Sequence, residues 1–246
     1  MESFITLGKK IYHIEKSREA RRMVVFVARA MLNRGRMEKL DAYFHQRKLL
    51  AELAEIYPFV YEQPTRAFFY NKSKFDDRAR IVEEHMEFLT SRLKAQAVLD
   101  IYKEKDQVLW ADEHEGESLR LVLYYEPGQR KEGILSVILR LGDKPLYQMI
   151  FWIARNATGE WCLWIGAMQG PNLENAKEVI KKITKQCHAY RTKNLILYAT
   201  QAVARALDIK HIYAVTNYGY YANNHVRMDR KLKTSFSDFW QEAGGW

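Results

Sequence analysis

Cysteine, proline and long apolar runs are all scarce in this chain of 246 residues. Its two cysteines, Cys162 and Cys187, lack both CxxC spacing and a neighbouring His and acid cluster, so we expect a reducing compartment and no metal site. No run reaches the roughly 18 to 20 apolar residues that a membrane-spanning helix needs. The longest candidate, residues 23–32, is interrupted by Arg29, which also argues against a secretory signal peptide.

Acidic residues are also in the minority, and the excess of basic residues lies at the two ends of the chain. The chain has 39 Lys and Arg against 30 Asp and Glu, and residues 1–50 alone hold 12 basic and 5 acidic side chains. A basic first helix with Arg18, Arg21 and Arg22 favours an anionic membrane surface, RNA or an acidic partner. The alternative is a solvated helix face that has no specific partner.

The first part of the chain, to about residue 97, has helical periodicity. The pattern predicts a helix from Ser17 to about Asn33, a second over 37–54, and a third that opens at Ser73 or Asp76. His85 falls on the apolar stripe of the third helix, where a buried, hydrogen-bonded histidine is expected. Residues 57–72 are rich in aromatics, so we expect this connector to pack onto the body of the protein.

From about residue 106 to 168 the apolar period changes to two, and Gly-containing turns separate the segments. This predicts four or five antiparallel strands in a meander. A helix over 173–187, a nearly all-apolar helix over 194–207 and a strand over 211–216 follow. The last strand should lie parallel to the strand at 161–168, because a right-handed crossover joins them. The predicted fold is α+β, with a helical region over 1–97 and a mixed-sheet domain over 98–246.

Ligands of sheets with parallel crossovers bind beyond the carboxyl ends of the strands. Two strand ends and the start of the apolar helix should meet at that edge, and the free amides and cations there favour an anion such as phosphate. A simple turn and a solvated helix end are the alternative interpretation. The candidate residues for binding a phosphorylated donor are Gln169, Gly170, Arg191, Lys193, Asn194 and Asn217.

The segment after the last predicted strand is rich in Tyr, Asn and His, a composition typical of a polar pocket and also of a loop that binds through its surface. His225 is the candidate general base, and Tyr221 is the candidate acid. Glu242, near the end of the chain, is a second candidate base. These three residues are the predicted catalytic groups.

Residues 191–196, Arg-Thr-Lys-Asn-Leu-Ile, resemble the pyrophosphate-binding loop of the GNAT acyltransferase superfamily. In that superfamily the loop precedes a central helix and holds coenzyme A on its backbone amides, so the resemblance implies a GNAT-like core and an acyl-CoA donor. The sequence departs from the pattern where Asn194 and Ile196 fill two positions that are normally small. It also inserts an extra helix, 173–186, before the loop.

Longer stretches resemble the VirK/YbjX family of bacterial proteins over roughly residues 55–246. The resemblance is carried by residues 165–170 (IGAMQG), 188–195 (HAYRTKNL), 212–217 (IYAVTN) and 239–245 (FWQEAGG). It implies a cytoplasmic or inner-membrane-associated protein that is linked to virulence and, through the cell envelope, to resistance against antimicrobial peptides. It also implies a continuation beyond Gly245, with a final strand.

These observations favour an acyltransferase-like enzyme that modifies an amine on a cell-envelope or peptide substrate. Its donor would be acyl-CoA or another phosphorylated acyl carrier, and aminoacyl-tRNA is a further option because the net charge of +9 favours nucleic acid. The alternative is a non-enzymatic binding module whose basic surfaces bind anionic lipid, lipopolysaccharide or nucleic acid.

Overall fold

The computed structural model describes residues 2–223 and 235–245, and its first hundred residues are helical. Helical structure extends slightly further along the chain than the periodicity predicts. The helices of this region are α1 (Phe4–Ile11), α2 (Ser17–Leu32), α3 (Arg34–His45), α4 (Lys48–Ile56), α5 (Phe59–Glu62), α6 (Phe75–Arg92) and α7 (Ala95–Tyr102).

One predicted helix is wrong. The segment 37–54 is not continuous, because α3 ends at His45 and the backbone at Arg47 is extended. Both α3 and α4 bury apolar side chains in the same core, for example Met37 and Leu50. The apolar pattern therefore continues across the bend, since such a pattern records which side chains are buried and not whether the backbone is continuous.

The second part of the chain forms a six-stranded sheet whose strand order follows the sequence. The first five strands pair antiparallel and the last pair is parallel, with Cys162 opposite His211. This confirms the α+β class, the meander and the parallel crossover. The elements are β1 (Gln107–His114), β2 (Glu117–Tyr124), β3 (Leu135–Leu141), β4 (Lys144–Arg155), β5 (Trp161–Gln169), α8 (Ala176–Gln186), α9 (Thr192–Ala206), β6 (His211–Ala214) and α10 (Phe236–Glu242).

The helical region and the sheet share one hydrophobic core. The crossover helix α9 packs on β3 and β4 and contacts α8 as well, and it buries Ile196 and Val203. The predicted boundary at residues 97–98 lies within α7. No helix in the described part of the chain is long and apolar enough to cross a bilayer.

His85 connects α6, by a hydrogen bond, to the part of β4 that extends beyond β3. β3 begins opposite Phe151, so the amide of Ile153 has no strand partner on that side, and it donates to His85 Nδ1 at 3.0 Å. His85 Nε2 lies 3.0 Å from the hydroxyl of Tyr102. Full burial lowers the pKa of His85 to about 3, so the ring is neutral. The prediction of a buried, hydrogen-bonded histidine is confirmed.

Gly166 is the extra residue of a bulge in β5, between Ile165 and Ala167. A Cβ atom at this position would lie 1.7 Å from the carbonyl oxygen of Glu132. The backbone before β3 therefore touches β5 at the one place where a side chain is missing. This contact fixes Glu132 beside the carboxyl end of β5.

The neutral histidine predicts an acid-sensitive fold. The unfolded chain takes up a proton near pH 6.5 and folded His85 does not until about pH 3, so this group lowers stability as the pH falls through that window. At pH 5 the loss is of the order of 2 kcal/mol. His85→Asn should be less stable at pH 7 but should lose less stability than the wild type between pH 7 and pH 5, measured by urea unfolding. Equal losses in both proteins would contradict this account.

The second prediction concerns the bulge. Gly166→Ala should lower the free energy of unfolding by more than about 3 kcal/mol or prevent folding, because the added methyl group overlaps backbone that cannot move freely. Gly35→Ala is the matched control, since no atom lies within 4 Å of its added Cβ and the position is helical. We expect the control to be as stable as the wild type or more stable by about 0.5 to 1 kcal/mol. Similar thermal unfolding of the two variants would rule out the close contact.

Candidate functional site

Cationic side chains line a cavity of about 670 Å³ between α2, the segment 66–68 and the chain before β3. We call it the arginine pocket. Its walls include Val25, Ala67, Phe68, Tyr221 and Ala222, and Glu62 lies among its cations. The seven cationic residues that line it are Arg18, Arg21, Arg22, Arg29, Arg66, Arg130 and Lys131.

Helical spacing places most of the α2 residues of the pocket in one row. Positions 18, 22, 25 and 29 follow one another at intervals of three or four residues and therefore share a face of the helix. Arg29 Nη1 also donates to the carbonyl oxygen of Thr65 at 3.1 Å, which ties α2 to the neighbouring segment. Arg66 follows that segment, and Arg130 and Lys131 precede β3.

Glu62 holds several of these segments together. Its side chain is 1% exposed and accepts hydrogen bonds from Arg130 Nε at 2.7 Å and from the Tyr12 hydroxyl at 2.6 Å, while Arg66 Nη1 lies 3.5 Å away. Arg22 pairs with Glu19. Among the described residues, seven cations therefore meet the paired carboxylates Glu62 and Glu19, and Glu132 acts on Lys131 as a third, which leaves an excess of four positive charges.

The excess charge affects the cations themselves. Burial lowers the pKa of Lys131; the charge of Glu132 opposes this shift, and the charges of Arg22, Arg130 and Arg66 add to it. Burial and the neighbouring Arg29 lower the pKa of Arg78 to about 10. Within the described ranges, Arg18 and Arg21 have no acidic partner. An anion in the pocket would relieve this repulsion, because each cation then gains an opposite charge.

A second polar cluster surrounds Glu132. The Tyr220 hydroxyl donates to Glu132 Oε1 at 2.7 Å, and Gln169 Nε2 lies 3.4 Å from Oε2. Gln129 Nε2 donates to Gln169 Oε1 at 2.8 Å. Burial raises the pKa of Glu132, and the hydrogen bond from Tyr220 opposes that rise. The predicted donor-binding residue Gln169 is therefore engaged by Glu132 and Gln129, neither of which the sequence singled out.

The segment after β6 is docked on the connector that precedes α6. The amide of Asn71 donates to the Gly219 carbonyl at 2.8 Å, and Lys72 Nζ donates to the Tyr218 hydroxyl at 2.7 Å. The ring of Tyr221 contacts the ring of Phe68, with centroids 6.4 Å apart. This docking brings the candidate acid Tyr221 to the arginine pocket.

Three of the other predicted site residues gather around α10. Lys193 Nζ forms an ion pair of 2.9 Å with Glu242 Oε2. Asn217 lies at the start of α10, where its side-chain amide donates to Ser235 Oγ at 3.0 Å and its Oδ1 accepts from the amide of Phe236 at 2.7 Å. The hydrogen bond from Lys193 holds the pKa of Glu242 below its usual range, which makes this carboxylate a weaker base.

The remaining predicted residues lie nearby or outside the described ranges. Arg191 is exposed at the N-cap of α9, and its charge adds to the lowering of the Glu242 pKa. The side chain of Asn194 has no hydrogen-bond partner in the described part of the chain. A Cβ atom at Gly170 would lie 3.5 Å from the ring of Tyr147. His225 lies outside the described residues, so its predicted role stays a prediction.

A separate cavity of about 350 Å³ lies over β4, β5 and β6 and is mostly apolar. Trp164 stacks on Tyr213, with ring centroids 4.5 Å apart, and Trp152 lies parallel to Trp164 on its other side. Ala214 and Val215, at the carboxyl end of β6, complete this side of the cavity. Its size and lining suit an apolar group of a ligand.

The sequence indicated part of the arginine pocket. It identified Arg18, Arg21 and Arg22 as a basic surface, but Arg66, Arg130 and Lys131 carry no local signal that connects them to α2. In the sequence, each of these three cations is typical of an ordinary solvated charge. Tyr221 was identified, but as part of a different site.

Comparison with known proteins gives a family and two distant relatives. The family described as "Protein of unknown function (DUF535)" matches residues 15–246, which include every residue of the arginine pocket. An uncharacterized protein of Haemophilus influenzae is 24% identical over 222 residues, covering 88% of this chain and 71% of that protein. A protein of Mannheimia haemolytica named "Membrane protein LapB" is 24% identical over 210 residues, covering 85% of each chain.

No solved structure matches the chain. The family match and the two bacterial relatives fit the VirK/YbjX type of family that the motifs resemble, whereas the likeness to the GNAT core stays a prediction. The matched residues run from just before α2 to the end of the chain and span more than half of it. The chain therefore belongs to the DUF535 family.

Proposed function

We propose that the protein is a binding module whose arginine pocket takes a phosphate-bearing anionic ligand. Phosphate is the chemistry that anionic lipids, lipopolysaccharide and nucleic acid share. The observation that carries the proposal is the convergence of seven cations, from three separate parts of the chain, on one cavity that has three neighbouring carboxylates among the described residues.

The residue types suit phosphate better than an arbitrary anion. The planar guanidinium of arginine presents paired N–H donors that match two phosphate oxygens, and six of the seven cations are arginines. Phe68 and Tyr221 add apolar surface to the wall, which suits a ligand with an uncharged part beside its phosphate. The volume is adequate for a group larger than inorganic phosphate.

The pocket is better suited to binding than to proton transfer. Its carboxylate, Glu62, is occupied by Arg130 and Tyr12, and burial raises the pKa of Tyr12 far above neutrality. Tyr12 is therefore not an acid near neutral pH, and Glu62 would have to give up these hydrogen bonds to accept a proton. The resemblance to a family linked with the cell envelope and with antimicrobial-peptide resistance is consistent with recognition of an envelope phosphate.

An acyltransferase-like enzyme is the second candidate. The parallel β5–β6 pair with its crossover helix α9 supports it, and so does the apolar cavity beside the end of β6, which has room for an acyl group. In this proposal Arg191 and Lys193 bind the phosphates of acyl-CoA or of another carrier such as aminoacyl-tRNA. His225 or Glu242 would take the proton of the amine acceptor.

The binding proposal predicts a charge-specific loss of affinity. Arg18→Ala combined with Lys131→Ala should weaken binding of pyrophosphate by at least about tenfold, because hydrogen bonds to charged groups contribute about 1.5 to 3 kcal/mol and 1.4 kcal/mol corresponds to tenfold. Isothermal titration calorimetry measures this directly, with thermal unfolding to show that the variant folds.

Arg34→Ala is the control, since Arg34 is an exposed arginine outside the pocket that pairs with Glu38. It should bind pyrophosphate within about twofold of the wild type. If the wild type fails to bind pyrophosphate at millimolar concentration, or if the control loses as much affinity as the pocket variant, the pocket is not a phosphate site.

The enzyme proposal predicts a different pattern. Arg191→Ala combined with Lys193→Ala should weaken coenzyme A binding by at least about tenfold for the same energetic reason. His225→Ala should leave coenzyme A affinity unchanged and lower the rate of acyl transfer. Calorimetry with coenzyme A and acetyl-CoA tests the first expectation, and a wild type that binds neither would remove the second candidate.

A further inference from the structure

One exposed side of α2 carries apolar side chains. Val24 is 64% exposed, Met31 is 58% exposed and Leu32 is 85% exposed, and Ala28 lies exposed between them. We call these four residues the α2 apolar row. Their spacing of four, three and one residues keeps them on one side of the helix, opposite the side that buries Phe26 and Ala30. Single exposed apolar residues are ordinary, but a row on one helix forms a patch.

Arginines border this row on one side and at the C-terminal end of the helix. Residues 17–36 contain six arginines and a single acidic residue, Glu19, so the local excess is five positive charges. Arg34 and Arg36, just beyond the end of α2, have side chains that are 76% and 53% exposed, and they pair with Glu38 and Asp76. An apolar row bordered by arginines complements an anionic bilayer. The lipid phosphates lie at the depth of the guanidinium groups, and the acyl chains lie below them.

The arginine pocket borders the same strip. Successive helix residues are separated by about 100°, so the pocket residues Arg18, Arg22 and Arg29 form the row next to the apolar one. Arg21 falls within the apolar row in helical angle, on its pocket side, and lines the pocket. A surface in contact with the apolar row therefore also meets the side of α2 that faces the pocket.

We propose that α2 docks flat on the surface of an anionic phospholipid bilayer. The apolar row enters the boundary between headgroups and acyl chains, and the arginine pocket takes the phosphate of a lipid headgroup. The second part rests on the proposed function of the pocket, whereas the first part rests on the exposure of the row. The 16 residues of α2 give a contact about 24 Å long, without any span of the membrane.

The experiment is co-sedimentation of the full chain with vesicles of phosphatidylcholine alone or with added phosphatidylglycerol. Binding should require phosphatidylglycerol and should weaken as salt is raised. Met31→Ser combined with Leu32→Ser should lower the apparent affinity for the mixed vesicles by at least about tenfold, because two exposed apolar side chains lose their burial in the bilayer. The same variant should bind pyrophosphate like the wild type.

Val108→Ser combined with Leu109→Ser is the matched control. It removes two exposed apolar side chains from the edge strand β1 and should sediment with vesicles like the wild type. Arg18→Ala combined with Lys131→Ala should lose affinity for both vesicles and pyrophosphate. Circular dichroism of all variants would show that the fold is retained.

The outcomes separate the two proposals. Membrane docking is overturned if the wild type binds pyrophosphate but does not bind the mixed vesicles. It is also overturned if the α2 and β1 variants bind vesicles with equal affinity. Neither outcome contradicts the pocket proposal. Vesicle binding through the α2 row without pyrophosphate binding supports docking and overturns the pocket as a phosphate site. Tight binding of single-stranded RNA with no vesicle binding would assign this basic face to nucleic acid and overturn the lipid partner.

Discussion

The buried carboxylate of Glu62 is the contact on which the candidate site depends. A charge that is 1% exposed is tolerated only when it is paired and fully hydrogen-bonded, and here Tyr12, Arg66 and Arg130 supply the partners. Arg130 also lies over the ring of Phe59, with its guanidinium carbon 4.2 Å from the ring centroid. One carboxylate therefore joins the chain after α1, the segment after α5 and the turn before β3.

The positive charge around the arginine pocket lowers the stability of the folded state. Burial and mutual repulsion disfavour the charged form of a cation. The lowered pKa values of Lys131 and Arg78 reflect this effect. Proteins tolerate local conflicts of this kind mainly at functional sites. The exposed apolar row of α2 is a second local conflict, and it lies beside the first. A single anionic surface with an apolar interior would resolve both.

Two contacts connect the pocket to the sheet. The bulge at Gly166 admits the backbone of Glu132, and this residue follows Lys131 directly. Glu132 in turn accepts the hydroxyl of Tyr220, whose neighbour Tyr221 forms part of the pocket wall. The first glycine of the IGAMQG motif, Gly166, thus acts through backbone packing. The backbone contact alone explains why this position is a glycine, without a bound ligand.

Local pattern by itself determined the secondary structure that forms the frame. The period-two segments, the apolar helix α9 and its short link to β6 predicted the meander and the parallel crossover, and the stripe position of His85 predicted its burial. These properties are local, since they depend on which side of one element is apolar. Tertiary packing alone decided the bend between α3 and α4 and the pairing of Lys193 with Glu242. It also decided the convergence of Arg66, Arg130 and Lys131 on α2, because no local pattern specifies which distant segments share a cavity.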